Sequence, residues 1–278
     1  MSNYKKKATN LLIIIFLLSI SNILNSQEKN LSSRTFEFAM LSDLHIHNKR
    51  EAATKYLNAT VKDINNNTKV NFVIVNGDIS QFGDIESLEI AKRELDSLNV
   101  PYFVNVGNHD IQYDSLNLTM NVKEIFGYDR FSFSFGSIKF IGILSSPIKR
   151  RDEAYILEDH LNYLIKEVEN IKNETEIILI THYPILEKEM YQTDEIISLM
   201  KDLSIELVLS GHYHMNGILN YENINGILNR TLLKTDGQNG YNIYKFDDFG
   251  LRLKERKLNG EENSWLWLPL KYHYKKAI

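Results

Sequence analysis

The chain has no cysteine among its 278 residues. Disulfides and thiolate metal sites are excluded, so stability has to come from a packed core rather than covalent staples. Lipid attachment through an N-terminal cysteine is excluded on the same ground. Strong charge of one sign is also missing. At a net charge of −4, nothing global argues for nucleic acid or an anionic membrane surface as partner. Any positive patch for phosphate must then be local, or be supplied by metal. No internal repeat and no low-complexity linker divides the chain. A hydrophobic share of 43% and a charged share of 24% are those of an ordinary soluble globular protein. The length suffices for one large domain with a sizeable core.

A long apolar run is the third absence. Lys5-Lys6-Lys7 followed by Leu11-Leu12-Ile13-Ile14-Ile15-Phe16-Leu17-Leu18 has the layout of a secretory signal. Ser19, Ser21 and Asn22 break the run before the roughly 20 apolar residues of a spanning helix are reached. Small Ser26 precedes Gln27 and marks a cleavage point. The expectation is a signal peptide over 1–26, a polar tether over 27–34 and one domain over 35–278, exported to the periplasm or the medium. An uncleaved membrane anchor at the N-terminus is the alternative.

What is present begins with alternation. Thr35 to Leu41 reads as a strand that delivers Asp43-Leu44-His45. Ala53, Tyr56, Leu57, Thr60, Val61 and Ile64 then fall at helical spacing. Val70 to Val75 is a nearly continuous apolar run, the habit of a parallel strand covered on both faces, and ends at Gly77-Asp78. Asp84 is placed to cap a second helix whose core face is Ile85, Leu88, Ala91, Leu95 and Leu98. A third strand from Pro101 enters Gly107-Asn108-His109-Asp110. This strand–helix repetition predicts parallel βαβ units.

Phe131 to Phe135 and Ile138 to Leu144 flank Gly136-Ser137 as a β-hairpin. Leu157, Leu161, Leu164, Ile165, Val168 and Ile171 mark a further helix. Glu176 to Ile180 is a strand ending at His182, and Ile205 to Leu209 a strand ending at Gly211-His212-Tyr213-His214. Ile227 to Leu233, Tyr241 to Phe246 and Leu251 to Leu258 read as later strands. His160, in a charged helical stretch, and His273 read as surface residues. His47 continues the alternation of Asp43 and His45 but reads as a loop residue. Lys149-Arg150-Arg151 is either a phosphate-steering rim or a solvated charge run. Trp265-Leu266-Trp267-Leu268 reads as a terminal strand packed on the core.

Five strand ends thus carry metal-type side chains, at the sheet edge where open α/β sheets bind ligands. Asp43, His45, Asp78, Asn108, His182, His212 and His214 offer carboxylate, imidazole and amide oxygen without sulfur. That donor set suits Mn, Fe, Zn or Co. Seven ligands exceed the needs of one tetrahedral ion with an open position. They suit two ions sharing a bridging carboxylate, a clamp of roughly 3.5–4 Å that serves in-line displacement at phosphorus.

These blocks, Asp-x-His, Gly-Asp, Gly-Asn-His-Asp, a lone His and Gly-His-x-His, resemble in order the calcineurin-like metallophosphoesterase signature, over about Thr35 to Asn216. The resemblance implies an α/β fold, a two-sheet β sandwich flanked by helices. It implies that Asp43, His45 and His214 hold one ion, that Asn108, His182 and His212 hold the second, and that Asp78 bridges them. It implies attack on phosphorus by a metal-bridging hydroxide, with His109 assisting the leaving group and Asp110 orienting His109.

Ile79-Ser80-Gln81-Phe82 lacks the tyrosine ligand of purple acid phosphatases, and His182-Tyr183-Pro184 departs from the common His-His-Pro. The Asp43 and Asn108 blocks look most like the small-phosphodiesterase branch; a phosphomonoesterase is the equal alternative. The expected partner is a small phosphorylated substrate. Two readings from other classes stand beside this one: a non-catalytic scaffold of the same fold, and a metal-binding or lipid-head-group module using the aromatic C-terminus.

Overall fold

The computed structural model describes residues 35–111, 117–147, 153–171, 175–233, 239–247 and 249–269. The expected signal peptide and tether, Lys149-Arg150-Arg151 and His273 lie outside the described residues. Among the described residues no helix is long and apolar enough to cross a membrane.

The first sheet is built around three parallel strands, β1 (Phe36–Leu41), β2 (Phe72–Asn76) and β3 (Tyr102–Asn105). The second is built around β5 (Ile138–Gly142), β8 (Glu176–Ile180), β9 (Leu207–Ser210) and β11 (Ile224–Leu228), also parallel. Antiparallel strands extend both. β12 (Gly240–Asp247), β13 (Gly250–Lys257) and β14 (Glu262–Leu268) complete the first, in the order β14-β13-β12-β1-β2-β3. β4 (Phe131–Phe135) and β10 (Gly217–Tyr221) complete the second, in the order β10-β11-β9-β8-β5-β4. A two-stranded ribbon joins β6 (Ser146–Pro147) to β7 (Ala154–Tyr155).

Side-chain alternation divides the apolar residues into three cores. Phe36, Phe38 and Met40 of β1 point into the space between the sheets, where they meet Phe72, Phe140, Ile178, Leu209 and Tyr244. Ala39 and Leu41 point the other way, onto Leu57, Val61, Leu88 and Leu95. Those residues lie on α1 (Glu51–Asn67) and α2 (Ile85–Leu95). On the far side, Ile177, Leu179 and Val208 pack on Leu164, Ile196 and Met200 of α4 (Glu158–Glu169) and α5 (Thr193–Asp202). The fold is α/β, two mixed sheets between helical layers. Asp84 caps α2 as its position suggests, accepting from Ser87 N at 2.9 Å.

Several elements differ from the sequence reading. α3 (Met120–Phe126), α5, the β6–β7 ribbon and β10 are additional. Ile85 and Tyr56, read as core, are exposed. The segment expected as one strand over Ile227–Leu233 stops at Leu228. His160, read as a surface residue, is 1% exposed. Its Nδ1 accepts from Leu144 N at 3.2 Å, and burial with Arg130 nearby pushes its pKa down to about 4. Charged neighbours in sequence disguised it: Asp159 faces out, while His160 turns inward under the hairpin. His47 is a half-buried loop residue, and Trp265, Leu266 and Leu268 do pack on the inter-sheet core.

One buried ion pair fastens α1 to the antiparallel half of the first sheet. Asp63 accepts from Arg256 Nε at 2.7 Å and Nη2 at 2.8 Å, and from Tyr241 Oη at 2.7 Å. Burial would raise the Asp63 pKa, but the bonds from Arg256, Tyr241 and Asn67 outweigh it and hold the carboxyl below its ordinary 3.8. Removing one partner leaves a buried unpaired charge, so Asp63→Ala should cost about 3 kcal/mol at pH 7. A depressed folded pKa means this contribution is complete above the unfolded value and is lost as pH falls through the folded one. Chemical denaturation of both proteins should show their stability difference constant from pH 7 to 5 and shrinking below about pH 4. A difference that does not vary with pH would contradict the assignment.

Candidate metal centre

The site grows out of the strand alternation itself. The inward-facing column Phe36, Phe38, Met40 continues into Ser42; Phe72 and Ile74 continue into Asn76; Ile178 and Ile180 continue into His182. Each column turns from apolar to polar at the carboxyl end of its strand, and all of these residues are buried. The amides bind the sheets together there. Asn76 Nδ2 donates to Thr181 O at 3.0 Å, and Asn105 Nδ2 to Asn76 Oδ1 at 3.2 Å. Above this polar floor the five strand-end loops converge.

The backbones of three of these loops, after β1, β2 and β9, are strained in one consistent way. Asp43 (φ 55°), His45 (φ 47°), Asp78 (φ 49°), His212 (φ 67°) and His214 (φ 56°) are all left-handed without being glycine. Such residues are uncommon and persist only where the surroundings over-determine them. The surroundings here are backbone bonds between loops: Asp43 N donates to Gly77 O at 3.1 Å, His45 N to Asp78 O at 2.9 Å, and Gly211 N to His182 O at 2.9 Å. Two glycines permit the crowding. A Cβ on Gly77 would lie 2.4 Å from His182 Nδ1, and one on Gly107 would lie 2.2 Å from Asp78 N.

Two groups of donor atoms result, sharing one carboxylate. Asp43, His45, Asp78 and His214 each bring an atom within 4.8 Å of the others, and so do Asp78, His182 and His212. His45 Nε2 and His214 Nε2 stand 3.2 Å apart. Asp78 Oδ2 is 3.3 Å from His182 Nε2 and 3.8 Å from His45 Nε2. Asn108 sits on the turn whose next amide, His109 N, donates to Asp78 Oδ1 at 2.9 Å.

A cation fits this arrangement. Asp43 Oδ1 and His182 Nε2 are fully buried, 3.8 Å apart, and make no hydrogen bond of acceptable geometry. His182 Nδ1 donates to Asn76 O at 2.8 Å, so Nε2 is the nitrogen that faces the carboxylates and that would give up its proton to a metal ion. Burial would lower the His182 pKa, yet Asp78 and Asp43 outweigh it and raise it to about 10. Burial likewise opposes ionisation of Asp78, but His182, His109 and His45 hold it well below the usual carboxylate range. His45 and His212, with burial dominant, are pushed down to about 4. Imidazole nitrogens, two of them held neutral by burial, together with carboxylate oxygens are the donors that borderline divalent ions take. Tyr183, the departure from His-His-Pro, stacks on His212 with ring centroids 3.8 Å apart.

His109 lies at the rim of this cluster, its ring 4.8 Å from that of His45. The partner of its Nδ1 is Gln81: the backbone carbonyl at 2.9 Å and the side-chain amide at 3.2 Å. Asp110, expected to orient His109, does not touch the imidazole. Its carboxylate is filled by Ser80 N at 2.8 Å, Gly107 N at 3.0 Å, Ile79 N at 3.1 Å and Ser80 Oγ at 3.1 Å. Asp110 therefore clamps the Asp78 loop to the Gly107 turn. Burial and the nearby Asp78 charge push its pKa up to about 6.

The residues missed in the sequence lie beyond the last motif. After β11 the chain passes as a strap under both ligand-bearing edges. Asn229 Nδ2 donates to Ser210 O at 3.1 Å, Thr231 Oγ1 to Asp43 O at 2.9 Å, and Leu232 N to Ser42 O at 2.9 Å. The strap rests on a buried amide network, in which Asn242 Nδ2 and Tyr244 Oη donate to Asn229 Oδ1 at 2.9 and 2.7 Å. The signal available was Asn229-Arg230-Thr231 interrupting an apolar run.

Comparison with known proteins adds independent findings. A probable cyclic nucleotide phosphodiesterase of Xenorhabdus bovienii is 23% identical over 201 residues, 66% of this chain and 81% of that protein. A probable glycerophosphodiester phosphodiesterase of Arcobacter nitrofigilis is 30% identical over 160 residues, 52% of this chain and 56% of that protein. In fold, the chain is similar to a purple acid phosphatase from yellow lupin, at a TM-score of 0.62 and 12% identity, over 84% of this chain and 53% of that one. Residues 36–216 match the calcineurin-like phosphoesterase family, and the chain belongs to that family.

Proposed function

We propose that the protein hydrolyses phosphodiesters of small molecules with two metal ions bound at the shared edge of its sheets. The observation that carries this reading is the pair of donor clusters meeting at Asp78. Asp43, His45 and His214 would hold one ion, Asn108, His182 and His212 the other, with Asp78 between them. When bound, such a pair supplies Lewis-acid charge to the phosphoryl oxygens and lowers the pKa of water. The preference for diesters over monoesters is supported by the two phosphodiesterase relatives.

The chain's own residues do the rest. The Gln81 carbonyl places a proton on His109 Nδ1 and fixes the ring, so Nε2 is the nitrogen left to exchange a proton with the departing alcohol. The His109 amide holds Asp78 Oδ1 and keeps the shared carboxylate from rotating. The strap and the Asp110 clamp hold the loops in their left-handed conformations, an ordering that a flexible edge would lack. Export is part of the proposal, supported by the basic and apolar layout of residues 5–18.

Hydrolysis of bis-p-nitrophenyl phosphate and p-nitrophenyl phosphate tests the reading. Turnover should require Mn²⁺ or a similar ion, stop with chelator, favour the diester, and fall by about a hundredfold or more in His109→Ala. Folded protein that binds two ions but turns over neither ester would sink the enzyme reading in favour of a scaffold.

The strap generates a second expectation. Thr231→Val removes the hydroxyl that steadies Asp43, so titration calorimetry should show Mn²⁺ affinity at one of two sites reduced about tenfold. Thr231→Ser should restore it. Unchanged affinity in Thr231→Val with reduced thermal stability would make the strap a purely structural tie.

A further inference from the structure

Phe82 is an exposed ring that stands close to the ligand cluster. It is 60% exposed, yet the turn that carries it is pinned on every side. Gln81 N donates to Ile46 O at 2.8 Å, Gly83 N to Ser80 Oγ at 2.8 Å, and Asn121 Nδ2 to Gly83 O at 2.8 Å. The next residue, Asp84, caps α2. A single exposed ring is ordinary on a protein surface; what sets Phe82 apart is that its turn also carries Gln81, the partner of His109 at the edge of the ligand cluster.

Its neighbours define the geometry. Gln81, one residue before it, holds His109 Nδ1. A parallel bridge between Ile46 and Ser80 sets the two loops side by side. This brings the His47 ring to Phe82, centroids 5.3 Å apart and planes at 79°. His47 is itself fixed, its Nδ1 accepting from Lys49 N at 3.0 Å. The two rings make an aromatic corner on the His109 side of the cluster.

We propose that Phe82 and His47 form a subsite for a flat unsaturated ring carried on the alcohol part of the substrate whose ester oxygen is freed from phosphorus on the His109 side. The inference rests on the phosphodiesterase reading and narrows its substrate class. Aromatic faces stack on any planar base or ring without needing its hydrogen-bond pattern, whereas a glycerol or amino-alcohol group offers no such face. A rigid corner also loses little freedom on binding, which favours affinity.

The test compares one substrate with a flat ring, 3′,5′-cyclic adenosine monophosphate, and one without, glycerophosphoethanolamine. The readout is the ratio of their kcat/KM values in the full chain with Mn²⁺. Phe82→Leu should lower this ratio about tenfold, the scale of base-on-ring stacking, and Phe82→Trp should restore it. In parallel, calorimetry should show the preference for adenosine monophosphate over glycerol 3-phosphate shrinking by a similar factor in Phe82→Leu.

A ratio and a binding preference both unchanged in Phe82→Leu would overturn the subsite. So would a change in oligomeric state in that variant with no change in preference, which would assign Phe82 to contact with a second copy. Absence of all hydrolysis would fail the phosphodiesterase reading, while the binding arm would still decide the subsite.

Discussion

Two carboxylates, Asp43 and Asp78, are buried beside each other at the carboxyl edge of the sandwich, and the surrounding architecture is a response to that fact. Buried charge of one sign is strongly unfavourable unless neighbouring groups or a cation answer it. Here the answer comes from imidazoles, backbone amides and the donor geometry itself. His182 is drawn toward protonation by the two carboxylates against the effect of its own burial. The His109 amide and the hydroxyl of Ser42, 2.5 Å from Asp43 Oδ2, occupy the outer oxygens. The remaining oxygens lie among the imidazole nitrogens of two groups that could hold a metal ion.

Holding that arrangement requires both sheets. β1 and β2 deliver the carboxylates, β8 and β9 deliver His182, His212 and His214, and no single βαβ unit contains the whole set. Asn76 stands where the two halves meet. Its carbonyl accepts from His182 Nδ1 and Ser42 Oγ, and its side chain reaches Thr181 O. The left-handed loops are then locked from outside by the Asp110 clamp and from beneath by the Asn229–Leu232 strap. Site geometry and inter-sheet packing are therefore one interaction system, which links a polar layer at the strand ends to the precision of the loops above it.

Much of this was legible in the residues. Period-2 alternation and the apolar runs at Phe72–Val75 and Glu176–Ile180 mark strands because burial on both faces demands it. The motif residues are legible because few other reasons place His, Asp and Asn at the ends of five strands of two sheets. The failures have physical causes as well. α3 is short and buries only Asn121 and Val122, so no periodicity stands out over it; α5 does carry a helical stripe, Thr193, Ile196 and Met200, which a reading centred on the motif blocks passes over. The family resemblance implies that Asp110 orients His109, whereas a tight turn after Gly107 aims the carboxylate back at three amides. His160 was misjudged because its helix carries charge on the face next to it. Gln81 acts through a backbone carbonyl contact, which leaves no compositional trace, and Thr231 through a single hydroxyl whose one signal is the polar break in an apolar run.

The central claim is that two ions occupy this edge and share Asp78. Anomalous diffraction from crystals grown with Mn²⁺ tests it most directly. The account predicts two strong anomalous peaks, roughly 3.5–4 Å apart, one among Asp43, His45 and His214, the other among Asn108, His182 and His212, with Asp78 reaching both. A single peak, or peaks away from Asp78, would contradict it.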